Sequence, residues 1–442
     1  MHAALALLAL VQQPAPPAGR PCSIVIDSIG GNYRQAVPAP GDTNRFAGGG
    51  VLAHCEGTGS TLSSDSVAMY ARQRRIDFIG HVVIRDTALA LDANFASYFL
   101  RDERLDAHNN VVAVNRKSGS VLRGPNLTYY RAAQGVRDTV EMYATSRPTV
   151  EYRQAADSGE PYIIVGDRIR FKGDDRVWAG GKATVDRSDF ASRSDSLMLD
   201  ETVGLGVLVG HPRVEGKSGK KYTLVGTRIE LGLEQREVRL VKALGQGKAT
   251  GNDWALTADT IHLLVEQRKL QQAFAWGRGK DEAARAHAVS SLYTIDADSL
   301  AIDTPAEVLT ESRAFGRALS TAKRDSAAPA ADIDWITGDS LTARFIQEQD
   351  STGREHSRLQ QIHARGAARA LTHHFDDRDS TAAPSINYSR GKRIDVALLG
   401  PKVDRVVVAG AADGVHLEPR PPAPPDSTKA RADTAKAPPR KP

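Results

Sequence analysis

The feature that most constrains this chain is a short repeat in which polar and apolar residues alternate. Each copy begins with a small or polar residue, often followed by Asp, and continues with apolar side chains at every second position. The clearest copy spans residues 63–70 (SSDSVAMY), a polar turn, and residues 76–84 (IDFIGHVVI). About ten copies follow one another, which predicts a repeat architecture.

A period of two places successive side chains on opposite faces of a β-strand. One buried and one solvated face is the pattern of antiparallel sheets. A unit of two strands joined by a polar turn cannot bury its apolar face alone, so the units must stack on one another. The sequence therefore predicts an all-β fold, a stacked antiparallel β-jellyroll or β-solenoid of about ten two-strand repeats.

Two residue types recur at fixed places within the repeat. Asp fills one slot near the start of a strand, where we expect it to cap a turn through hydrogen bonds to the backbone. Gly follows the apolar runs, where it permits a bend or a bulge at a corner. The Asp residues are Asp65, Asp167, Asp195, Asp259, Asp298 and Asp339, and the Gly residues are Gly80, Gly245, Gly277, Gly316, Gly366 and Gly410.

Composition favours a folded, exported protein. Hydrophobic residues make up 41% of the 442 residues and charged residues 25%, which argues against a disordered chain. The apolar stretch at residues 3–11 predicts an export signal, with a Pro-rich linker behind it up to residue 21. The net charge of +5 is spread along the chain, and no basic patch with interleaved aromatic residues is visible, so we expect no nucleic-acid partner.

The two cysteines, Cys22 and Cys55, are a disulfide candidate. An even number of cysteines in an oxidising compartment suggests a bridge, and each lies beside a strand-like run. Such a bridge would join the first strand to the second. The alternative is a pair of free thiols.

The repeats carry a family resemblance. The units L-x-x-D-S-V-x-x-Y…I-x-F-x-G-x-V-V-I and L-x-x-A-N-F-A-S-Y…L-x-A-x-x-N-V-V resemble the OstA-like (organic solvent tolerance) family, which includes the lipopolysaccharide-transport protein LptA and the N-terminal domain of LptD. The resemblance is strongest over residues 61–130 and continues in style to residue 419. This chain is roughly twice the length of a typical bridge protein of that family and carries no large barrel, which speaks against LptD itself.

The resemblance implies a β-trough that holds the acyl chains of lipopolysaccharide or another glycolipid, in the periplasm and associated with the outer membrane. Burial of acyl chains contributes about 0.8 kcal/mol per methylene and requires only an apolar lining. The candidate lining residues are Val67, Met69, Ile76, Phe78, Val82, Ile84, Phe95, Ile169, Phe171, Leu197, Leu199, Ile229, Leu231, Ile261, Leu263, Phe274, Trp276, Leu300 and Leu341. For each of them, ordinary core packing is the alternative.

The expected organisation has four parts. Residues 1–21 are the signal and linker, residues 22–155 a first OstA-like module, residues 156–419 a second continuous module, and residues 420–442 a disordered basic tail. The strands at residues 23–27 and 403–409 are the expected open edges. Edge strands can pair with another chain, either another Lpt-type envelope protein or a second copy in a head-to-tail arrangement.

Catalytic and metal constellations are weak in this sequence. The repeated Asp residues are better explained as turn caps than as acid–base catalysts. The run HHFDDRD at residues 373–379 has metal-ligand residue types but reads as a solvated loop, and His54, Cys55 and Glu56 alternate faces of a strand. We therefore expect no enzyme and no cofactor. The alternatives are a structural envelope repeat protein with a closed core and, less favoured, a polysaccharide-processing β-helix.

Overall fold

A computed structural model describes residues 21–56, 58–153, 159–217, 221–234, 237–251, 254–278, 285–290, 293–305, 308–322, 333–349, 355–374, 383–399 and 402–419. The expected signal, apart from Pro21, and the expected tail lie outside these residues. The described chain is built from antiparallel β-strands, so the predicted all-β class with stacked antiparallel strands is confirmed. It divides into two compact units.

The first unit comprises the described residues up to Ser290 together with Asp298–Ser312. Its strands are β1 (Ser23–Ile29), β2 (Tyr33–Ala39), β3 (Asp42–Glu56), β4 (Ser60–Tyr70), β5 (Arg75–Arg85), β6 (Leu89–Phe99), β7 (Arg104–Asn115), β8 (Val121–Tyr130), β9 (Glu141–Thr145), β10 (Thr149–Tyr152), β11 (Tyr162–Val165), β12 (Arg168–Lys172), β13 (Arg176–Asp186), β14 (Phe190–Asp200), β15 (Leu205–Val209), β16 (Arg213–Gly216), β17 (Tyr222–Val225), β18 (Arg228–Glu234), β19 (Glu237–Thr250), β20 (Trp254–Glu266), β21 (Lys269–Trp276), β22 (Ala286–Ser290) and β24 (Ser299–Asp303).

The second unit comprises residues 293–297 and the described residues from Arg313 onward. Its strands are β23 (Tyr293–Ala297), most of β25 (Glu311–Ala322), β26 (Trp335–Gln349), β27 (Glu355–His374), β28 (Ser385–Leu399), β29 (Lys402–Ala409) and β30 (Asp413–Leu417). In this unit β26, β27 and β28 pair in sequence order through long antiparallel registers.

Long strands of the first unit bend in the middle, where the register shifts. In the β5–β6 pair, for example, the shift falls between Ile79 and Val82. On one side of these corners the half-strands form one layer of pairing, and on the other side they form a second layer. Where a strand is interrupted at the corner, as between β9 and β10, its two halves still pair with different layers.

In alternate strands the corner contains two consecutive residues with positive φ, a conformation that costs a residue with a side chain roughly 1–2 kcal/mol. The pairs are Gly49–Gly50, Gly80–His81, Asn109–Asn110, Ser146–Arg147, Gly181–Lys182, Gly210–His211, Gly245–Gln246, Gly316–Arg317, Gly366–Ala367 and Gly410–Ala411. Gly leads most pairs because it has no Cβ, and Asn tolerates the same region. The predicted corner role of Gly80, Gly245, Gly316, Gly366 and Gly410 agrees with this geometry.

The repeated Asp residues lie at the corners, directly before a strand at Asp167 and Asp298 and within a strand at Asp65, Asp195, Asp259 and Asp339. Asp65 lies within β4, and its carboxylate accepts from or pairs with His81 Nδ1 of β5 at 2.7 Å. The Asp167 amide donates to the carbonyl of Gly181 at 3.0 Å, and Arg147 binds the Asp167 carboxylate at 3.0 Å. At Asp65 and Asp167 the carboxylate thus pairs with a basic residue at a neighbouring strand's corner, whereas the expected role of the repeated Asp as a turn cap stays a prediction.

The interior of the first unit consists of two rows of buried residues that cross the strands. In the first layer, successive Cα partners are Ala47, Val67, Phe78, Ala96, Ala107, Leu127, Ala144, Ile169, Ala179, Leu197, Leu208, Ile229, Ala243, Ile261, Ala275 and Leu300. In the second layer they are Ala53, Leu62, Ile84, Leu91, Ala113, Leu122, Val150, Ile164, Val185, Ser192, Val214, Leu224, Ala249 and Leu256.

Each of these residues is at most 8% exposed. A fully buried Val, Leu, Ile or Phe side chain stabilises the fold by about 1.5–3 kcal/mol, so these two rows carry much of the folding free energy. Small and large side chains mix along both rows, which lets facing layers interdigitate.

The Sγ atoms of Cys22 and Cys55 are bonded, and their Cα atoms lie 5.3 Å apart. The bridge joins the residue before β1 to the end of β3, because β1 pairs with β3 and not with β2. The expected module boundary after residue 155 falls within the first unit, in a stretch of which residues 154–158 are not described, and β10 and β11 pair with each other across it.

Candidate functional site

The polar turns at the ends of the two layers form two rims. We call the turns at residues 71–74, 100–103, 131–140, 173–175, 201–204 and 267–268 the first rim, because they end the first layer. The second rim comprises the ends of the second layer, namely Cys22, the end of β3, and the turns at residues 86–88, 116–120 and 187–189. Side chains of the two rims meet along what we call the seam.

Polar contacts cross the seam at several points. Asp174 of the first rim accepts hydrogen bonds from Asn115 at 3.0 Å and Lys117 at 3.1 Å. The Tyr152 hydroxyl at the end of β10 donates to Glu201 at 2.6 Å. These contacts close the interior on the side opposite the corners, so the first unit encloses its apolar rows between two layers.

A further seam contact forms around one buried carboxylate. Glu103, only 1% exposed, accepts hydrogen bonds from the Cys22 amide at 2.8 Å, from the Tyr98 hydroxyl at 2.6 Å and from Arg131 at 3.3 Å. Arg131 Nη1 also lies 3.9 Å from Cys55 Sγ. Because a buried charge is costly unless it is paired and hydrogen-bonded, this network fixes the first rim to the disulfide-bonded end of the second.

Burial also sets the ionisation of the interior tyrosines. Burial, with the hydrogen bond to Glu103 and that residue's charge, raises the pKa of Tyr98 above its ordinary value. Burial and the negative charge of Asp86 raise the pKa of Tyr129 in the same direction. Both phenols are therefore neutral in the fold at physiological pH.

Another seam contact involves an ion pair of the second rim. Arg187 donates two hydrogen bonds to Asp189, at 2.5 and 2.7 Å, and Arg268 of the first rim lies 3.5 Å from the same carboxylate. Burial opposes ionisation of Asp189, but the hydrogen bond and charge of Arg187 dominate and lower the pKa of Asp189.

One cavity lies directly below the Asp174 contact of the seam. Its walls are largely apolar and come from both layers, with Leu89, Ala113, Leu122, Met142, Val150 and Phe171 among the lining residues. Asn115 and Asp174 of the seam also line it. The arrangement places a small apolar space under a polar, hydrogen-bonded cover.

Most predicted lining residues do point into the interior. Val67, Ile76, Phe78, Val82, Ile84, Ile169, Phe171, Leu197, Ile229, Leu231, Ile261, Leu263, Leu300 and Leu341 are buried. Met69 and Leu199 are half-buried. They share the inner face, because they pair with the buried Ile76 and Val177. Their role as a lipid lining stays a prediction.

Three of the predicted lining residues lie on the outer face instead. Phe95 pairs with the exposed Ile79, while the following Ala96 is buried. Phe274 and Trp276 stack at 6.0 Å outside, because Ala273 and Ala275 take the inward positions of β21. The apolar alternation was assigned the wrong phase at these strands, where small inward residues alternate with large outward ones.

The other constellations gain no catalytic geometry in the described residues. His373 is buried and pairs with Asp334 at 2.8 Å, while residues 375–379 of the HHFDDRD run lie outside the described part. Across the described residues, no group of three or more His, Cys, Asp or Glu side chains is placed to hold a metal ion. No described helix is long and apolar enough to cross a membrane.

Sequence reasoning did not identify Glu103, Tyr152, Asp174 or Asp189 as members of the seam. They lie in or beside polar turns, where charged residues are expected to be solvated. The left-handed backbone of Glu103, whose φ is 49°, is visible only in the structure.

Comparisons with known proteins find a likeness among solved structures. No family model matches the chain, and no curated protein matches it. Among solved structures, the chain is similar to LptH from Pseudomonas aeruginosa, described as the LptA-homologous periplasmic component of the conserved lipopolysaccharide transport device, at 17% sequence identity and a TM-score of 0.24. The match covers 34% of this chain and 97% of LptH. The proposals below rest on this chain's own residues.

Proposed function

We propose that the protein is an exported envelope protein of the lipopolysaccharide-transport type, which holds the acyl chains of a glycolipid between its two layers. The observation that carries this proposal is the pair of uninterrupted inner rows in the first unit, apolar at all but Ser192. They offer a lipid a continuous apolar path bounded by polar rims. The resemblance of the repeats to the OstA-like family supports the same proposal.

The seam supplies a route for the lipid. At the Asp174 contact the rims are joined by hydrogen bonds and an ion pair at partly exposed positions, since the side chains of Lys117 and Asp174 are 71% and 49% exposed. Exposed ion pairs contribute only about 0–1 kcal/mol each, so local opening at the Asp174 contact costs little. The cavity lined by Phe171 lies behind this contact.

The test compares two phenylalanines, Phe171 on the inner face and Phe95 on the outer face. Each is replaced in turn by a photo-crosslinking phenylalanine analogue in cells, and the purified protein is probed for lipopolysaccharide and other acyl lipids. The proposal expects a lipid adduct at Phe171 and none at Phe95. The proposal is overturned if both positions are labelled equally. It is also overturned if Phe171 is not labelled and solvent extracts of the native protein contain no acyl lipid.

The second candidate is a structural envelope repeat protein with a closed core. It is favoured by the complete burial of Phe78, Leu208 and Ile261, which side chains of the chain itself already cover. In that case the extracts contain no acyl lipid, and the Phe171 position labels only protein.

The edge strand of each unit, β1 in the first and β29 in the second, is the proposed docking site for envelope partners or a second copy. Among the described strands β1 pairs with β3 alone, and β29 pairs with β28 alone. Val37 of β2 and Val415 of β30, beside these edges, are 61% and 55% exposed. Photo-crosslinkers at these two positions should trap a partner chain or a second copy, whereas the same group at Val203, 70% exposed in a turn, should not.

A further inference from the structure

The outer face of the first layer carries a line of alternating aromatic and arginine residues. Tyr70, Arg75, Phe99, Arg104 and Tyr130 are successive Cα partners on β4 to β8. They follow the first rim, and their positions along the strands place them on the face opposite Ile76 and its buried neighbours. We call this line and its continuation over β9, β12 and β13 the arginine–aromatic stripe.

Three arginines along the stripe lie over aromatic rings. The Cζ atom of Arg75 lies 4.6 Å from the Tyr70 ring centroid, that of Arg104 4.0 Å from Phe99, and that of Arg137 4.4 Å from Tyr130. Stacking fixes the guanidinium plane and leaves its N–H edges available to a planar anion.

The stripe continues onto the next strands two residues further from the first rim, because the Cα partner of Tyr130 is Glu141 and that of Tyr143 is Thr128. The rings of Tyr130 and Tyr143 contact edge to face at 5.7 Å, and Arg170 lies 5.1 Å from both the Tyr143 and the Trp178 rings. With neighbouring strands about 4.8 Å apart, the stripe offers an aromatic or cationic group at every step over several nanometres of surface.

The acidic residues of the stripe lie below its arginines. Asp77, paired with Arg75 at 3.1 Å, has a side chain only 9% exposed against 31% for Arg75. Glu141, which binds Arg170 at 3.1 Å, is 18% exposed against 41% for Arg170. The hydrogen bond from Tyr143, opposed by burial, lowers the pKa of Glu141, which keeps it anionic. Asp106, 22% exposed, pairs with Arg104, 28% exposed, at 3.2 Å, and Asp102 of the adjacent turn lies 4.0 Å from Arg104 and is 50% exposed. At Arg75 and Arg170 the surface that faces solvent is therefore cationic and aromatic, with the carboxylates beneath.

We propose that the arginine–aromatic stripe binds an extended acidic glycan, with carboxylate or phosphate groups on the arginines and sugar faces on the exposed parts of the aromatic rings. Arginine matches both anions through paired N–H donors. Aromatic rings supply rigid, amphipathic contact area at low conformational cost. This site lies outside the acyl-holding interior and does not depend on it.

Sequence analysis detects no basic patch with interleaved aromatic residues, because the stripe does not exist along the chain. Arg75 and Tyr70 are separated by a turn, and Arg170 and Tyr143 by 27 positions. Only the strand register brings them into one line.

The test measures binding of the full chain to polygalacturonate, to delipidated phosphorylated lipopolysaccharide core, to neutral dextran and to single-stranded DNA. The double variant Arg104→Gln/Arg170→Gln removes two cations of the stripe. The control is Arg213→Gln, because Arg213 is an ion-paired surface arginine, 2.6 Å from Glu215, that belongs to the second layer. The thermal unfolding midpoint of each variant confirms folding, and Arg104→Lys/Arg170→Lys provides a milder pair that keeps charge but loses the flat stacking surface.

The expected result is at least tenfold weaker binding of one or both acidic glycans by the double Gln variant, an intermediate loss for the Lys variant, and a change below twofold for Arg213→Gln. Which of the two acidic ligands binds more tightly identifies the charged group. The proposal is overturned if dextran binds equally well, if the stripe variants bind like the control, or if single-stranded DNA binds as tightly as both glycans. Because no acyl chain is present in any ligand, these outcomes leave the proposed lipid function untouched.

Discussion

Asp167 and Gly181 face each other across neighbouring strands at one corner of the first unit, and the amide of Asp167 donates to the Gly181 carbonyl at 3.0 Å. A Cβ atom placed on Gly181 would lie 2.7 Å from the Cβ of Asp167. The same pairing of an Asp with a positive-φ Gly recurs at Asp195 with Gly210. The corner is thus a two-strand motif, in which one strand supplies the Asp and its neighbour supplies the Gly with positive φ.

Substitution Gly181→Ala should therefore destabilise the fold through both backbone strain and a steric clash. The left-handed backbone alone costs about 1–2 kcal/mol, and displacement of Asp167 adds to it. Gly41→Ala is the control, because Gly41 has φ +79° with nothing within 4 Å of a new Cβ. Urea unfolding should show a larger loss for Gly181→Ala; equal losses would mean that the Asp167 contact contributes nothing.

The buried Glu103 predicts a strong effect at a turn residue. In Glu103→Ala the guanidinium of Arg131, whose side chain is only 14% exposed, loses its ion pair with Glu103. The Cys22 amide and the Tyr98 hydroxyl lose their hydrogen-bond acceptor. Breaking a buried pair by removing one partner costs about 3–5 kcal/mol. The exposed pair of Arg123 and Glu151 is the comparison, where Glu151→Ala should cost less than about 1 kcal/mol by the same unfolding measurement.

Stability should fall at alkaline pH because of Tyr98 and Tyr129. Their pKa values are raised in the fold, so the stability they contribute is complete below the unfolded pKa of about 10 and is lost as pH rises above it. The loss should approach about 1.4 kcal/mol per pH unit for each phenol. Thermal unfolding between pH 8 and 11 should show a shallower decline for Tyr129→Phe than for the unmodified chain, whereas Tyr33→Phe, at an exposed position, should leave the decline unchanged.

Removal of the disulfide should weaken the first edge of the stack. The bridge closes a segment of 33 residues, for which chain entropy gives a stabilisation of about 3–4 kcal/mol. The double variant Cys22→Ala/Cys55→Ala, and the unmodified chain under a reductant, should lose comparable stability in urea. Hydrogen exchange should localise the faster opening to β1 and the end of β3, and uniform protection across the unit would contradict a local role for the bridge.

The fold class was accessible from sequence because it depends on a local period. The alternation over residues 76–84 places Ile76, Phe78, Val82 and Ile84 on the inner face on both sides of the corner at Gly80. Within β21 the same rule chose the wrong face, since it weighted Phe274 and Trp276 over the small Ala273 and Ala275. The sequence pattern shows that side chains alternate between two faces. Which of the two faces is buried depends on whether the alanines point inward.

The seam and the stripe were inaccessible for a different reason. Glu103 and Cys22 are 81 positions apart, and Lys117 and Asp174 are 57 apart, so nothing local links them. Likewise, the corner at Ser146–Arg147 contains no glycine and gives no turn signal of the kind that marked Gly80. Such contacts follow from register, which is itself set by the corners.

The left-handed pairs at the corners have a consequence for how such a chain changes its length. Because each corner restores the inward phase within its own strand, a hairpin inserted or deleted between two rims leaves the phase of every other strand intact. Each strand added this way lengthens the stack by about 4.8 Å. The length of a unit is therefore adjustable in small steps by duplication of single hairpins, without any redesign of its remaining core.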